Sequence, residues 1–132
     1  MKTKFVYPAI FDEEEVGGYS VSFPDLPGCI TEGDTIEEAF DMARDAMGIY
    51  LSQMEADCKG IPSASNPADL HPEGKGFVAM VDMDILAYKQ KHDNRAVKKT
   101  LSIPQWLNIM AEREGVNFSN VLQKALREKL GV

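Results

Sequence analysis

The stretch VKKTLSI at residues 97–103 decides the fold of the last third of this 132-residue chain. Apolar and polar side chains alternate along it, which predicts a β-strand. Leu101 and Ile103 point to one face of that strand, because alternate side chains share a face. The other face carries Lys98, Thr100 and Ser102. One short strand cannot form a sheet alone, so the stretch predicts a second strand elsewhere.

Two short helices are predicted after the strand. Pro104 suits the start of the first helix, where its missing N–H is not needed. Gly115 then supplies a left-handed stop, and Asn117 caps the second helix. The apolar faces consist of Leu107, Met110 and Ala111 in the first helix and Val121, Leu122, Ala125, Leu126 and Leu130 in the second. We expect Trp106 to be partly buried, within this module or against a neighbouring domain.

This module is shorter than the roughly 40 residues below which single domains usually need outside help, so we predict a homodimer. Two copies of the strand, antiparallel across a two-fold axis, would form a ribbon that fits the major groove of DNA. The free amides of Phe118 and Ser119 would hold a phosphate at the start of the second helix. The alternative is an ordinary strand and helical hairpin packed on the amino-terminal sheet.

Charge divides the chain at the same place. Residues 1–93 hold 7 Lys/Arg and 18 Asp/Glu, a net charge of −11, whereas residues 94–132 hold 7 and 3, a net charge of +4. Opposite charges in one chain predict two partners of opposite charge, and the basic part suits nucleic acid.

The first 88 residues predict a compact α+β domain of order β-β-β-α-β, with one helix on a mainly antiparallel sheet. The predicted strands cover residues 5–11, 19–23, 29–32 and 77–81. Pro8 favours an edge position or a bulge for the first strand, because proline cannot donate to a ladder. The strand at 77–81 is apolar on both faces, which predicts a central position. Residues 61–75 are predicted as loop, residues 82–88 as one helical turn and residues 89–94 as a linker.

The predicted long helix begins with a capping box formed by Thr35 and Glu38 and ends near Gly60. Its apolar side chains recur at spacings of three and four, which predicts a stripe packed on the sheet. That stripe comprises Ile36, Ala39, Phe40, Ala43, Met47, Tyr50, Leu51 and Met54.

Several classes of protein are disfavoured by the same residues. No apolar run approaches the roughly 18 residues that span a bilayer, and no secretory signal is present, so we predict a cytoplasmic protein without membrane contact. Cys29 and Cys58 are far apart and are predicted to be free, packed thiols. We expect no metal, no cofactor and no catalytic residues. Asp12, Asp25, Asp34, Asp82 and Asp84 would serve a two-metal nuclease only if they converged, and the simpler interpretation is that Asp25 and Asp34 stabilise turns.

Two resemblances to known families emerge from these residues. The run from Thr100 through Pro104, Gly115 and Asn117 to a Leu-rich second helix resembles the ribbon-helix-helix repressors. That resemblance implies an intertwined β-α-α dimer, with DNA contacts at Lys98, Thr100 and Ser102 and a phosphate anchor at Asn117, Phe118, Ser119 and Asn120.

The run GYSVSFPDLPGC at residues 18–29, with TEG at 31–33 and DTIEEA at 34–39, resembles the HicB antitoxins. This implies a partial ribonuclease H-like fold and a HicA-type partner, a small basic ribonuclease toxin. The predicted organisation is a toxin-binding domain at 1–88, a linker at 89–94 and a ribbon-helix-helix domain at 95–132. An acidic surface would cover the RNA-binding surface of such a toxin. The candidate contacts are Asp12, Glu13, Asp25, Glu32 and Asp34.

The sequence therefore predicts an antitoxin that also represses its own operon by binding operator DNA. The main alternative is a ribbon-helix-helix repressor whose amino-terminal domain senses a small ligand. An enzyme is a third and weaker possibility. Whether dimers pair into tetramers stays open.

Overall fold

A computed structural model describes residues 2–93 and 95–132. The chain forms two compact units, one that ends at Arg95 and one over Ala96–Val132. Within the described residues, no helix is both long enough and apolar enough to cross a membrane.

The first unit is a four-stranded antiparallel sheet with a helix on one face. The strands are ordered β3-β2-β1-β4 across the sheet. Their bounds are Lys4–Glu13 for β1, Tyr19–Ser22 for β2, Ile30–Gly33 for β3 and Gly76–Asp84 for β4, and helix α1 is Ile36–Ala56. The predicted β-β-β-α-β order is confirmed, with α1 and the sheet enclosing the core.

The core lies between α1 and the face of the sheet that we call the inner face. In β1 this face holds Phe5, Tyr7, Ala9 and Phe11, all of which are buried. The predicted stripe of α1 is confirmed, since its central members Ala39, Ala43, Met47 and Leu51 are fully buried. The ring of Phe11 stacks on Phe40 of α1 with centroids 4.6 Å apart, which joins the two layers near the start of the helix.

Two predicted strand positions are wrong. Strand β1, expected at an edge or with a bulge because of Pro8, lies between β2 and β4 and pairs with β4 in unbroken register. Because β2 pairs only with residues 10–13 of β1, Pro8 has a single sheet neighbour, Met80 on β4. Strand β4, expected at the centre, is at an edge. The strand contacts both α1 and a 3₁₀ turn at Pro67–Asp69, and these contacts account for its apolar residues on both faces.

A helix that the sequence did not predict in full follows β4. Residues 82–84 belong to the strand, and helix α2 covers Ile85–His92, so residues 89–92 of the predicted linker are helical. Asp84 caps α2 by accepting a hydrogen bond from the amide of Leu86 at 3.0 Å. Lys89 of this helix pairs with Glu55 of α1 at 2.7 Å. Asn94 of the predicted linker lies outside the described residues.

The start of α1 differs slightly from the predicted capping box. Thr35 caps the helix and accepts from the amide of Glu38 at 3.1 Å. The Glu38 carboxylate, however, accepts from the amide of Asp34 at 3.1 Å instead of that of Thr35. The helix also ends earlier than predicted, at Ala56 instead of near Gly60. Both differences are shifts of a few residues at helix ends, where local sequence is least decisive.

The loop and the cysteines complete the first unit. The segment predicted as loop contains the one-turn helix at Pro67–Asp69 and is otherwise irregular. Both cysteines are free, as predicted, and Cys29 is buried. Burial raises the pKa of Cys29 to about 11, so its thiol stays protonated at neutral pH. Cys58 is exposed, so the prediction of a packed thiol is wrong there.

The second unit contains helices α3, Gln105–Arg113, and α4, Phe118–Leu130. Asn117 caps α4 and Gly115 has a left-handed φ of +66°, as predicted. Pro104 is the N-cap of α3. Residues 97–103 are not paired in a sheet within one chain, so the strand they predict requires a second chain and stays a prediction. Over residues 96–132 no side chain is buried, including the apolar stripe of α4, in which Leu122 is half-buried.

Candidate functional sites

Two of the five acidic candidates lie together on the outer face of the sheet, the face opposite α1. Asp12, Ser20 and Glu32 are paired in one row across β1, β2 and β3. Neighbouring strands lie about 4.8 Å apart, so Asp12 and Glu32 are separated by about 10 Å. Ile30 lies two residues from Glu32 on the same face and is 69% exposed. The outer face therefore combines carboxylates with an exposed apolar side chain.

The other three acidic candidates do not join this pair. Glu13 is opposite Tyr19 and belongs to the inner face of the sheet. Asp25 lies in the turn between β2 and β3, and Asp34 is exposed just after β3. The structure therefore resolves the five predicted residues into one pair and three separate positions.

Asp12 and Asp25 fasten the long loop between α1 and β4. The Asp25 carboxylate accepts hydrogen bonds from the backbone amide of Ser65, at 2.9 Å, and from the Ser65 hydroxyl. Asp12 accepts from the amide of Glu73 at 3.2 Å. Beside them the Tyr7 hydroxyl donates to the carbonyl of Pro62. Burial and, to a lesser degree, the charge of Asp25 raise the pKa of Tyr7. For Asp25 this is the turn-stabilising role that the sequence favoured over catalysis.

Replacement of Asp25 should loosen this loop. Asp25→Ala removes two hydrogen bonds to a charged group, each worth about 1.5 kcal/mol or more when protected from water. Because Asp25 is only half-buried, we expect a net effect near the lower end, about a tenfold increase in loop opening. Tryptic cleavage after Lys59 or Lys75 would report that opening as a rate. Asp69→Ala, which alters an exposed aspartate of the same loop, is the control and should leave the rate unchanged.

The outer face also carries residues that the sequence analysis missed. Val6 and Met80 are exposed there, in addition to Ile30. Their alternation with buried neighbours was visible in the sequence, but the outer face became identifiable only when the strand registers were known. Together they give the acidic unit an apolar surface as well as a charged one.

The three predicted base-contacting residues are all exposed in the second unit. Lys98, Thr100 and Ser102 lie in the segment before α3 and alternate with Leu101 and Ile103. Their exposure leaves these side chains accessible to a partner. Their contact with DNA stays a prediction.

The candidate phosphate anchor at the start of α4 has fewer free backbone amides than its four predicted residues would supply. The Asn117 side chain accepts from the amide of Asn120 at 3.1 Å, so that amide is already used. The amides of Phe118 and Ser119 are the first two of the helix and have no carbonyl partner one turn earlier. The Phe118 side chain lines a groove within the unit instead. Of the four predicted residues, the backbone of two remains suited to an anion.

That groove is largely apolar and lies between the segment before α3 and the two helices. Its volume is about 340 Å³. The lining residues are Lys99, Leu101, Ile103, Asn108, Phe118, Ser119 and Leu122. A module with an open apolar groove and no buried side chain has the form of half a domain.

The remaining aspartates do not form a metal centre. Across residues 2–93 and 95–132 no cluster of three or more histidine, cysteine or acidic side chains is placed to hold a metal ion. Asp84 caps α2, and Asp82 lies 3.5 Å from Arg44 of α1. These contacts explain both residues without catalysis.

Known proteins share this architecture. A chain from a toxin–antitoxin complex of Streptococcus pneumoniae matches with a TM-score of 0.61 and 26% identity, covering 96% of this chain and 99% of that one. The crystal structure of the antitoxin HicB3 matches with a TM-score of 0.52 and 25% identity, covering 95% and 97% of the two chains. The fold, a mixed α+β chain with a four-stranded antiparallel sheet and four helices, is therefore that of HicB antitoxins.

Sequence comparison extends this assignment to the family. The model of the HicB-like antitoxins of bacterial toxin–antitoxin systems matches residues 7–126. An uncharacterized 14.9 kDa protein of Haemophilus phage HP1 is 34% identical over 95% of this chain and 97% of its own length. Antitoxin HicB 1 of Photorhabdus laumondii is 56% identical over 41 residues, which are 31% of this chain and 26% of that protein. The chain belongs to the HicB-like antitoxin family, whose members are regulatory proteins and not enzymes.

Proposed function

We propose that this antitoxin neutralises a small basic HicA-type ribonuclease toxin through its first unit and represses its own operon through its second. Both partners would be met in the cytoplasm. The observation that carries the proposal is the division of one antitoxin chain into an acidic unit with a complete core and a basic unit with none. An acidic surface suits a protein that binds RNA phosphates, and a basic dimer suits DNA.

The toxin-binding surface is the outer face of the sheet, centred on Asp12, Ile30 and Glu32. Carboxylates at its edge would attract a basic partner from a distance, and the exposed apolar side chains would be buried on contact. Glu32 is exposed and thus free to pair with a cation of the partner. A related chain from Streptococcus pneumoniae was solved in a toxin–antitoxin complex, which supports a protein partner of this kind.

Co-expression with the small basic protein encoded beside its gene tests this half of the proposal. We expect the two to co-purify, and Glu32→Lys to weaken the complex at least about tenfold because it places like charges opposite each other. The control is Asp57→Lys, the same charge reversal at the end of α1. Failure of the wild-type chain to bind its neighbour would contradict the toxin-binding role. Equal weakening in both variants would instead indicate a diffuse charge effect.

The DNA-binding half requires a homodimer in which two copies of residues 97–103 pair across a two-fold axis. Pairing would cover the apolar groove that Leu101 and Ile103 line in each copy. It would also present Lys98, Thr100 and Ser102 from each copy to the major groove of DNA. The amides of Phe118 and Ser119 would hold the flanking phosphates. On this proposal the ribbon-helix-helix domain is residues 95–132 and the toxin-binding domain is residues 1–88 with α2 added. The sheet and α1 would then represent a partial ribonuclease H-like fold without its catalysis.

Lys98→Ala should weaken binding to the DNA upstream of its own gene and flatten the salt dependence of that binding. Removal of one phosphate contact lowers the slope of log K against log[salt] by about 1, so a dimer with two such lysines replaced should show a slope lower by about 2. Lys99→Ala is a matched control, since it removes the same charge from the opposite face of the strand. Equal changes in the slope for both variants would argue against a ribbon that contacts DNA through one face of the strand only. A loss of sequence preference at constant slope would mean that Lys98 reads a base.

The ligand-sensing alternative predicts a different outcome of the same DNA titration. Under that hypothesis operator affinity would change with a metabolite and not with the toxin. Membership of an antitoxin family favours the protein partner.

A further inference from the structure

The loop between α1 and β4 passes from the inner side of the first unit to the outer face of its sheet. We call residues 61–75 of this loop the strap. Near its start, the carbonyl of Pro62 accepts a hydrogen bond from Tyr7, whose side chain belongs to the inner face. Near its end, the amide of Glu73 donates to the Asp12 carboxylate on the outer face at 3.2 Å. The strap therefore reaches the surface that we propose to bind the toxin.

The burial of the outer face indicates what the strap covers. Pro8 belongs to this face and is less than 2% exposed, whereas Val6 and Met80 beside it are 47% and 45% exposed. The 3₁₀ turn within the strap, Pro67–Asp69, contacts β4, and Leu70 after it is half-buried. Because α1 packs on the opposite face, we attribute the burial of Pro8 to the strap. An apolar patch at the centre of the outer face is thus covered in the free chain.

Two carboxylates that the sequence predicts as toxin contacts hold the strap in place. Asp25 accepts hydrogen bonds from the amide and the hydroxyl of Ser65, and Asp12 accepts from the amide of Glu73. All of these donors are neutral, and both carboxylates are only half-buried. A lysine or arginine side chain forms a stronger hydrogen bond with a carboxylate than a neutral donor does. A basic protein can therefore compete with the strap for both aspartates.

We propose that the strap is a lid, which covers the apolar centre of the toxin-binding surface in the free antitoxin and is displaced when the basic toxin binds Asp12 and Asp25. This inference rests on the proposed function, because it concerns regulation of the same surface. A closed strap shields apolar side chains that would otherwise favour unspecific association. It also lowers the apparent affinity for the toxin, since only the fraction of chains with an open strap can bind fully.

Amide hydrogen exchange of the full-length chain, alone and with the small basic protein encoded beside its gene, tests the displacement directly. We expect the amides of Ser65 and Glu73 to exchange at least about tenfold faster in the complex, because their carboxylate acceptors are taken by the partner. Binding usually slows exchange at an interface, so faster exchange is specific to an opened strap. The control is the amide of Leu86, which donates to the Asp84 carboxylate at 3.0 Å at the start of α2 and should not exchange faster.

Ser65→Ala tests whether the closed strap opposes binding. This change removes the hydroxyl that donates to Asp25 but leaves the carboxylate free for the toxin. We expect the dissociation constant of the complex to fall about fivefold, because a weaker closure raises the open fraction. Ser63→Ala, which removes the hydroxyl of another exposed serine of the strap, is the matched control and should leave the affinity unchanged.

Three results would overturn this inference and leave the proposed function standing. Unchanged or slower exchange at Ser65 and Glu73 in the complex would mean that the strap stays closed under the toxin. An affinity of Ser65→Ala equal to or below that of the wild type would mean that closure does not oppose binding. Equal tightening in Ser63→Ala would mean that the bond to Asp25 is not what holds the strap. A wild-type chain that does not bind the neighbouring basic protein would overturn both.

Discussion

Replacement of Gly33 by alanine should lower the free energy of unfolding of the first unit by about 3 kcal/mol or more. Gly33 ends β3 directly beside the start of α1. A Cβ there would lie 2.5 Å from the amide nitrogen of Ala39 and 2.7 Å from its Cα. Both are backbone atoms, so relief requires that the helix move away from the sheet. Overpacking of a well-packed core typically costs about 1–3 kcal/mol, and a clash with backbone belongs at the upper end.

Urea unfolding followed by far-ultraviolet circular dichroism would measure this destabilisation, since the single tryptophan lies in the other unit. Gly74→Ala is the matched control, because nothing lies within 4 Å of the Cβ that it adds. We expect the control to change the stability by less than about 0.5 kcal/mol, as surface substitutions usually do. A stability of Gly33→Ala equal to that of the control would mean that the helix and β3 are less closely packed than described.

The same contact explains part of the family-like run at residues 18–33. Gly18 has a φ of +85°, and a Cβ on it would lie 2.9 Å from the carbonyl oxygen of Gly33. The two glycines therefore bring β2 and β3 together at the point where α1 begins. Within this run, the glycines serve the scaffold, and Ile30 and Glu32 between them are exposed, as the proposed toxin-binding surface requires.

Replacement of Leu101 by aspartate should abolish the proposed homodimer and, with it, binding to DNA. Leu101 lines the apolar groove of the second unit, which the dimer would close. An aspartate at this position would place an unpaired carboxylate in the closed groove, and such a group is very costly to remove from water. A penalty of about 3 kcal/mol or more raises the dimer dissociation constant at least about a hundredfold. Because the second unit has no core of its own, its helices should also lose much of their stability.

Sedimentation of the full chain would show a monomer for Leu101→Asp, and a titration with DNA from upstream of the gene would show no specific complex. Val16→Asp adds the same charge at an exposed turn of the first unit and should remain a DNA-binding dimer. Binding to the adjacent basic protein should survive in both variants, because the outer face is intact. If Leu101→Asp stayed dimeric, residues 97–103 would not be the dimer interface.

Local patterns in the sequence predicted the features that depend on neighbouring residues. The spacing of Ala39, Ala43, Met47 and Leu51 predicted the buried stripe of α1, because helical neighbours lie three and four residues apart. Asn117 and Gly115 were recognisable for the same reason, since a cap or a left-handed stop involves only the adjacent turn.

Strand positions were predicted less well, because sheet pairing joins distant segments. Pro8 indicated an edge or a bulge, yet β1 is central and regular, and the proline is tolerated because β2 is too short to reach it. Strand β4 looked central, yet it is an edge strand with α1 and a 3₁₀ turn beside it. Neither the length of β2 nor the path of the loop can be inferred from the residues around Pro8.

The sequence by itself determined that this chain has an acidic part and a basic part, where α1 and α4 begin, and which residues of a helix or strand face the same side. Only the tertiary structure decided what each side faces. Asp25 and Asp12 find their hydrogen-bond partners 40 and 61 residues away, so two predicted partner-binding carboxylates also fasten a loop. Trp106, predicted to be partly buried in its module or against a neighbouring domain, is 64% exposed within its own unit, and its burial against a neighbouring domain stays a prediction. The periodicity of a helix or strand is set by bonds between neighbouring residues. Which segment packs on a given face is set by residues far apart in the sequence, which come together only on folding.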